Sequence, residues 1–340
     1  EHARRAGRSH GAQISADRIA RGLAGPATIA VASDHRYSSG VMKHYLILGL
    51  MEADCHVRDY GTAPTSLIGY GVRVSGADGG CVVTASHNPP HWNGLKFFDR
   101  TGGILSPQIE ERLQAGVVAE MEAHGLRPAG LSTLDADADA PMWRANYIHP
   151  DRDEFIRKYV RDIAGRVAIR GPVSVAADHR LGVAKIVSPV LMKELGVADF
   201  HTVHNFLHPY FQKNSGSYLD PEPKAESVED LQTLVRRKTT DIGFAFDGDA
   251  DRLVAVDERG AYIPDDTVLL LLCRRYFDRD SVRVLSLDTS LRVEAELRKD
   301  GYRVAHAACG DPFVTETLLR EGNGRGVGGV PNGHYIYADF

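Results

Sequence analysis

The stretch "IAVASDHRYSSGVMKHYLILGLMEADCHV", which begins at Ile29, has a close echo in "VSVAADHRLGVAKIVSPVLMKELGVADFHTV", which begins at Val173. In each copy a short apolar strand leads into Asp-His-Arg (34–36 and 178–180), a helix with 3.6-residue apolar periodicity, Ala-Asp and a second strand. A fainter third copy begins at Val282, where a strand, an Asp, a helix, a Gly and a strand follow in order. Strand–loop–helix–strand units of this length are βαβ crossovers. The sequence therefore predicts tandem α/β domains with mixed, mostly parallel sheets.

Length and composition limit the classes of protein to consider. The 340 residues exceed what one hydrophobic core organises, and 43% hydrophobic with 25% charged residues is typical of a globular protein in water. A net charge of −5 gives no reason to expect nucleic acid or a membrane as partner. The longest apolar run, residues 268–273, is too short to cross a bilayer, and the basic start "EHARRAGRSH" lacks the apolar core of a signal peptide.

The four cysteines are far apart and show no zinc-site spacing. Cys55, Cys81 and Cys273 adjoin apolar runs, so we predict core thiols and a reducing cytoplasm.

Two boundaries follow from composition and turn signals. Residues 126–153 are rich in Ala, Asp and Pro and predict a linker, and "DERGAYIPDD" is typical of a hairpin turn followed by a helix start. We therefore predict domains at 1–150, 151–258 and 259–340.

The strongest chemical signal is "DIGFAFDGDADRLVAVDERG", residues 241–260. An apolar strand leads into Asp247, Asp249 and Asp251, and a second strand follows directly. Three carboxylates in one tight loop repel one another, and a hard divalent cation with oxygen ligands, such as Mg²⁺, relieves that repulsion. A solvated acidic loop is the alternative.

Two other motifs begin with similar aspartates. A calcium-binding EF-hand loop needs Gly at its sixth position, where this chain has Arg252, and needs flanking helices rather than strands. A phosphatase with an aspartyl nucleophile usually carries Thr or Val four residues beyond its first Asp, where this chain has Asp251.

A second signal is "VVTASHNPPHWNGLKFF", residues 82–98, which alone could be an ordinary turn. Beside Mg²⁺, however, Ser86 could carry a phosphoryl group, because the ion neutralises charge on phosphate oxygens. Arg252 could clamp the same group, while His87 and Lys96 are candidates for proton transfer with a sugar hydroxyl. The alternatives are a locally bonded loop histidine and a plain surface lysine.

These motifs together resemble the α-D-phosphohexomutases, the family of phosphoglucomutase, phosphomannomutase and phosphoglucosamine mutase. The resemblance covers most of the chain and follows one order along it: "ASDHRYSS", "GTAPTSL", "GADGGCVVTASHNP", "DPEP", "FDGDADR" and "GGVPNGHYI".

The resemblance implies four domains, carrying in turn a phosphoserine loop, a metal loop, a sugar-recognition loop and a phosphate site. It implies that Ser86 is the phosphorylated serine and that it holds Mg²⁺ together with Asp247, Asp249 and Asp251. It also implies that phosphoryl passes between Ser86 and a hexose phosphate through a hexose bisphosphate, which acts as activator. The residues expected around the transferring group are Arg36, His87, Lys96 and Arg252. A monomer or homodimer that acts on a small phosphosugar is expected.

Three features depart from the family pattern. The sugar loop normally reads G-E-x-S-G-H, and here Val330 replaces the carboxylate and Asn332 the hydroxyl, while His334 is retained. The sequence ends at Phe340, inside the expected third domain, and the usual Gly-rich start is not legible. Two alternatives therefore stay open beside a mutase, a phosphosugar phosphatase on the same scaffold and a catalytically silent relative. "GRGVGG" at 324–329 precedes no predicted helix, so it does not indicate dinucleotide binding.

Overall fold

A computed structural model of the chain describes residues 2–123, 147–148, 150–276 and 278–339. Most of the predicted linker, residues 126–153, lies outside the described residues. At its described end, a short strand at Tyr147–Ile148 and the start of a helix at Arg152 are ordered parts of the fold.

The first unit is built around a five-stranded sheet. Its elements are α1 (His2–Ala20), β1 (Thr28–Ser33), α2 (Ser39–Glu52), β2 (His56–Thr62), α3 (Thr65–Ser75), β3 (Gly79–Val83), β4 (Leu95–Phe98), α4 (Pro107–Ala123) and β5 (Tyr147–Ile148). The strand order is β4-β3-β1-β2-β5, and β4 is the antiparallel edge strand.

The second unit repeats this plan. Its elements are α5 (Arg152–Ala164), β6 (Ser174–Asp178), α6 (Ala184–Glu194), β7 (Asp199–Val203), α7 (Glu229–Lys238), β8 (Ile242–Phe246), β9 (Leu253–Val256) and β10 (Tyr262–Ile263). The order is β10-β9-β8-β6-β7, with β9 antiparallel to β8. Because β10 pairs with β9 through the hairpin turn, the second sheet ends at Ile263, a few residues after the predicted boundary at 258.

The third unit is a four-stranded sheet. Its elements are α8 (Asp265–Arg275), β11 (Val282–Ser286), α9 (Leu291–Lys299), β12 (Val304–Ala307), α10 (Asp311–Gly322), β13 (Gly326–Val330) and β14 (His334–Tyr337). The order is β12-β11-β13-β14, and only the β13–β14 pair is antiparallel. The predicted tandem α/β architecture with mixed, mostly parallel sheets is confirmed.

The basic start of the chain forms α1, which packs closely on α2. A side chain added at Gly7 would place its Cβ 2.2 Å from the Leu46 carbonyl oxygen, and one added at Gly49 would lie 1.7 Å from that of Arg4. The two helix backbones are therefore in contact, and glycine is required at the crossing.

The cysteines follow the prediction from their apolar surroundings. Cys55, Cys81 and Cys273 are fully buried, the first two in the core of the first unit and the third in the core of the third unit. Cys309 is exposed. The prediction of three core thiols is confirmed.

Among the described residues, none of the helices combines the length and apolar character that a membrane crossing requires.

Candidate active site

Three loops that occupy the same position in the three sheets meet at one point. The β3–β4 loop carries Ser86, the β8–β9 loop carries the three aspartates, and the β13–β14 loop leads into His334. Ser86 Oγ donates a hydrogen bond to Asp247 Oδ2 at 2.5 Å, and His334 Nε2 lies 3.1 Å from Asp251 Oδ1. Side chains singled out in three separate parts of the sequence are thus within hydrogen-bonding distance of one another.

Ser86 lies just beyond β3 in a constrained backbone conformation. Its φ of +51° is in the left-handed region, and its amide donates to Thr84 Oγ1 at 2.8 Å. Facing it, Ala250 in the acidic loop has a φ of +60°. Such conformations in non-glycine residues cost about 1–3 kcal/mol each and persist where the surroundings fix them. The hydroxyl is therefore held, 6% exposed, in one orientation toward the aspartates.

Arg36, predicted beside the transferring group, is buried behind the serine loop. Its Nε donates to Asp34 Oδ2 at 2.9 Å, and both side chains are fully buried. Its terminal nitrogens donate at 2.6–3.3 Å to four carbonyl oxygens of the loop, those of Ser86, Asn88, Pro89 and Trp92. These contacts bind the loop backbone, so the guanidinium supports the serine from behind.

The aspartates form one cluster, with a ligand oxygen of each within 4.8 Å of the others. Asp247 Oδ1 accepts from the amides of Asp251 and Arg252, each at 3.1 Å, which fixes the loop around its first carboxylate. Lys96 Nζ donates to Asp249 Oδ2 at 2.9 Å and also bonds Asp251. The strands β8 and β9 flank this loop, which contradicts the helix-flanked calcium-hand alternative.

The electrostatics of this cluster reflect burial and crowding of negative charge. Burial and repulsion from the two neighbouring carboxylates raise the pKa of Asp247 well above its usual value. Burial also disfavours the charged form of Asp251, but Lys96 and His334 outweigh it and hold the pKa of Asp251 well below its usual value. For Lys96, burial would lower the pKa, yet the three aspartates outweigh it and raise the pKa.

The cluster fits a hard divalent cation. Asp249 is fully buried, and no described residue hydrogen-bonds its Oδ1, which leaves a buried carboxylate oxygen available as a ligand. Carboxylate and hydroxyl oxygens are the donors that Mg²⁺ prefers. Asp247, Asp249, Asp251 and the oxygen at Ser86 could therefore hold Mg²⁺.

His87 and Arg252 lie on the same side of the serine. His87 Nδ1 is 3.4 Å from Ser86 Oγ, and burial together with the positive charge of Arg252 lowers the pKa of His87. Arg252 Nη1 lies 3.4 Å from Glu222 Oε1, while its buried Nε has no hydrogen-bond partner among the described residues. Arg252 thus keeps donor capacity beside the serine.

The predicted sugar loop divides into two parts. Asn332 Oδ1 lies 3.2 Å from His334 Nδ1, so these two side chains form a chain that ends at Asp251. Val330, predicted as a substrate-binding position, is 3% exposed and packs in an apolar cluster with Val314. Its position is the end of β13, where an apolar side chain completes the core of the third unit.

Three polar residues at the site were given no role from sequence. Thr65 Oγ1 donates to Asp249 Oδ2 at 2.7 Å, Asp34 anchors Arg36, and Glu222 faces Arg252. Each lies inside a quoted family motif, "GTAPTSL", "ASDHRYSS" or "DPEP". Their place in these motifs was the one signal by which the sequence could have identified them, because their hydrogen-bond partners are distant in sequence.

A cavity of about 650 Å³ adjoins the cluster between the first and third units. Its lining includes Lys96, Asp251, Arg252 and His334, which come from all three units.

Comparison with known proteins agrees with this arrangement. The family model for phosphoglucomutase/phosphomannomutase, alpha/beta/alpha domain I, matches residues 1–124, and the model for domain II matches residues 155–260. A probable phosphoglucosamine mutase from Methanopyrus kandleri is 31% identical over 320 residues, which are 93% of this chain and 65% of the relative. A phosphoglucosamine mutase from Thermoanaerobacter sp. is 29% identical over 318 residues, 92% of this chain and 65% of the relative.

Solved structures show the same fold. A phosphoglucomutase/phosphomannomutase family protein from Burkholderia thailandensis superposes with a TM-score of 0.78 at 25% identity, covering 99% of this chain and 68% of that one. A putative phosphomannomutase from Thermus thermophilus has a TM-score of 0.78 at 22% identity, covering 100% of this chain and 71% of that one. The chain spans 65% of the length of the two phosphoglucosamine mutases named above. From the two matching domain models and these relatives, the chain belongs to the phosphoglucomutase/phosphomannomutase family of α-D-phosphohexomutases.

Proposed function

We propose that this chain carries the phosphoryl-transfer centre of a phosphosugar mutase, with Ser86 as the phosphoryl carrier. The observation that carries the proposal is the 2.5 Å hydrogen bond from Ser86 Oγ to Asp247, at the edge of a buried three-carboxylate cluster. When bound there, Mg²⁺ would neutralise negative charge on the phosphate oxygens. The sugar hydroxyl attacks the phosphorus of phosphoserine, the new O–P bond forms and the Ser86 O–P bond breaks.

The proposed roles of the surrounding residues follow from their positions. His87, whose Nδ1 lies 3.4 Å from Ser86 Oγ, accepts the proton of the attacking hydroxyl and passes it to Ser86 Oγ as the O–P bond breaks. Lys96 supplies positive charge beside Asp249 and Asp251, and Arg252 directs its unpaired Nε toward phosphate oxygens. Arg36 acts from behind the loop as a positioning residue.

The proposed substrate is a small hexose or hexosamine phosphate, with a hexose bisphosphate as intermediate and activator. Two relatives at about 30% identity are named phosphoglucosamine mutases, so glucosamine phosphate is the first substrate to test. Asn332 and His334 are the proposed sugar contacts. We place the enzyme in the cytoplasm, as a monomer or homodimer.

The phosphatase alternative requires water to reach phosphoserine. Ser86 is 6% exposed, which restricts a sugar hydroxyl at least as much as water, so the release of inorganic phosphate decides between hydrolysis and transfer. The silent alternative was suggested in part by Val330, which packs in the core of the third unit. A chain that gains no phosphate would support this alternative.

The test is the intact mass of the 340-residue chain after incubation with a hexose 1,6-bisphosphate and Mg²⁺. We expect one added phosphate, mapped to Ser86, that Ser86→Ala loses and that EDTA prevents. A wild-type chain that gains no phosphate, or gains it at another residue, would overturn the proposal. Stoichiometric release of inorganic phosphate would instead identify a phosphatase.

A further inference from the structure

One segment of the second unit, residues 204–219, lies directly against the first Asp-His-Arg turn. We name it the clamp loop. His35 Nε2 lies 3.1 Å from the His208 carbonyl oxygen, and the ring of Tyr37 stacks on that of Tyr210 with centroids 5.1 Å apart at 17°. Residues of this turn therefore contact the second unit. The clamp loop packs against the turn that contains Arg36, the residue that supports the Ser86 loop.

Phe211 is the central residue of this contact. It is fully buried, and its ring meets the turn on one face, with the guanidinium carbon of Arg36 5.2 Å from the ring centroid. The ring of His35 lies edge-on at 5.0 Å and 69°. A guanidinium over an aromatic face is attracted to it, so Phe211 restricts where the Arg36 side chain can lie.

The tip of the Phe211 ring contacts the acidic loop at Gly248. A Cβ added at Gly248 would lie 3.1 Å from Phe211 Cζ and 2.8 Å from the carbonyl oxygen of Ser86. Phe211, Gly248 and the Ser86 backbone are thus packed with no room for one further methyl group. The same carbonyl oxygen accepts from Arg36 Nη2 at 2.6 Å.

The shape of the clamp loop is fixed by its own unit. Phe211 has a φ of +52°, in the left-handed region, and its amide donates to the His208 carbonyl oxygen at 2.9 Å while its carbonyl oxygen accepts from the Leu219 amide at 2.7 Å. The ring also packs on Leu181 and Leu219. A non-glycine residue keeps this conformation only where its surroundings hold it, so the ring is a rigid spacer.

We propose that Phe211 is a positioning residue that sets the distance between the Ser86 loop and the aspartate loop. It acts through its contacts with Arg36 and with Gly248. The inference rests on the proposed function, because that distance is the one a phosphoryl group must bridge. A misplacement of about 1 Å can slow a positioned reaction by about 100-fold.

The test compares Phe211→Leu with Phe206→Leu. Phe206 packs on the same apolar cluster, and none of its ring contacts in the described structure reaches the first unit, so it is a matched control for lost packing. Two readouts are measured in the 340-residue chain: amide hydrogen exchange of a peptide covering residues 84–94, and the single-turnover rate of phosphate gain from a hexose 1,6-bisphosphate. Thermal unfolding of both variants checks that they are folded.

We expect Phe211→Leu to speed exchange in residues 84–94 at least tenfold and to slow phosphate gain by about 100-fold. Phe206→Leu should change both by less than threefold. Equal exchange of residues 84–94 in the two variants would overturn the inference, whatever the phosphate readout. Faster exchange in Phe211→Leu alone, with no phosphate gained by the wild type, would support the positioning role and overturn the proposed function instead.

Discussion

The two Asp-His-Arg turns are the same local structure used on two different loops. In each, the aspartate Oδ1 accepts from the arginine amide, at 3.0 Å for Arg36 and 2.8 Å for Arg180. In each, the arginine side chain is fully buried and donates to backbone carbonyls of a distant loop. Arg36 binds the loop that carries Ser86, whereas Arg180 binds the carbonyl oxygens of Asp220 and Ser227.

The two turns differ in the side chains carried by the loop that each arginine binds. The loop under Arg180 contains Glu222, which faces Arg252, so its connection to the site is indirect. The clamp loop contacts both turns: its His208 carbonyl oxygen lies 3.1 Å from His35 Nε2, and its His204 Nδ1 lies 2.8 Å from Asp178 Oδ1. The first of these contacts joins two units, whereas the second lies within one unit. The motif is therefore a device for fixing a backbone loop, and its relation to chemistry depends on the loop that it fixes.

The largest effect is expected from removing either arginine. Arg36→Ala and Arg180→Ala each remove the arginine beside a buried aspartate, which should lower the free energy of unfolding by about 3–5 kcal/mol. The loss should be smaller for Arg180→Ala, because His204 Nδ1 still lies 2.8 Å from Asp178 Oδ1. Urea denaturation measures this. Only Arg36→Ala should also abolish phosphate gain at Ser86, because only Arg36 bonds that loop.

Hydrogen exchange separates the two variants further. Arg36→Ala should expose amides of residues 84–94, and Arg180→Ala those of residues 220–227. Loss of protection in both loops with either variant would show that the turns are not independent supports.

A smaller effect is expected at the third unit, where the corresponding turn has no arginine. There Ser286 Oγ donates to Asp288, and the β13–β14 loop is anchored instead by Val330 in the core. Val330→Thr places a hydroxyl among apolar groups and should cost about 1–3 kcal/mol of unfolding free energy.

The matched control for that substitution is Val167→Thr. Because Val167 is 50% exposed, this substitution should change the free energy of unfolding by less than about 0.5 kcal/mol. Phosphate gain at Ser86, expressed per folded molecule, should be unchanged in both variants. A stability loss at Val330 equal to that at Val167 would contradict the core assignment.

The smallest effect concerns the residue after each arginine. Tyr37 stacks on Tyr210, whereas Leu181, at the same place in the second turn, is fully buried in its own unit. Aromatic pairs contribute about 0.5–1.5 kcal/mol beyond burial. A double-mutant cycle of Tyr37→Ala and Tyr210→Ala, followed by urea denaturation, should therefore give a coupling in that range. Strict additivity of the two single changes would show that the stack adds nothing to the clamp.

The sequence predicted the architecture because the repeated signals are local. Apolar periodicity and the Asp-His-Arg echo lie within segments of about thirty residues, and the three aspartates lie within five residues of one another. Such patterns survive without knowledge of tertiary contacts. The same reasoning predicted buried thiols from their apolar neighbours.

The remaining details depend on contacts between distant residues. The sequence around Thr65 does not predict its hydrogen bond to Asp249. The sequence around Arg36 does not predict that its guanidinium donates to carbonyl oxygens of residues 86–92. Val330 was interpreted from its place in a motif, whereas its packing is decided by α10 and β11, which lie elsewhere in the chain. The sequence therefore predicted the candidate site residues better than the residues that hold them in place.

Because three of the four cysteines are buried, a thiol reagent should label the native chain selectively. Burial raises the pKa of Cys55 to about 11 and that of Cys273 to about 12, and it raises the pKa of Cys81 as well, so these thiols stay protonated and shielded from reagents. Cys309 is exposed and lies two residues before Asp311, which lines the cavity between the first and third units. A maleimide dye would therefore attach to the third unit alone, beside this cavity and with no cysteine replaced.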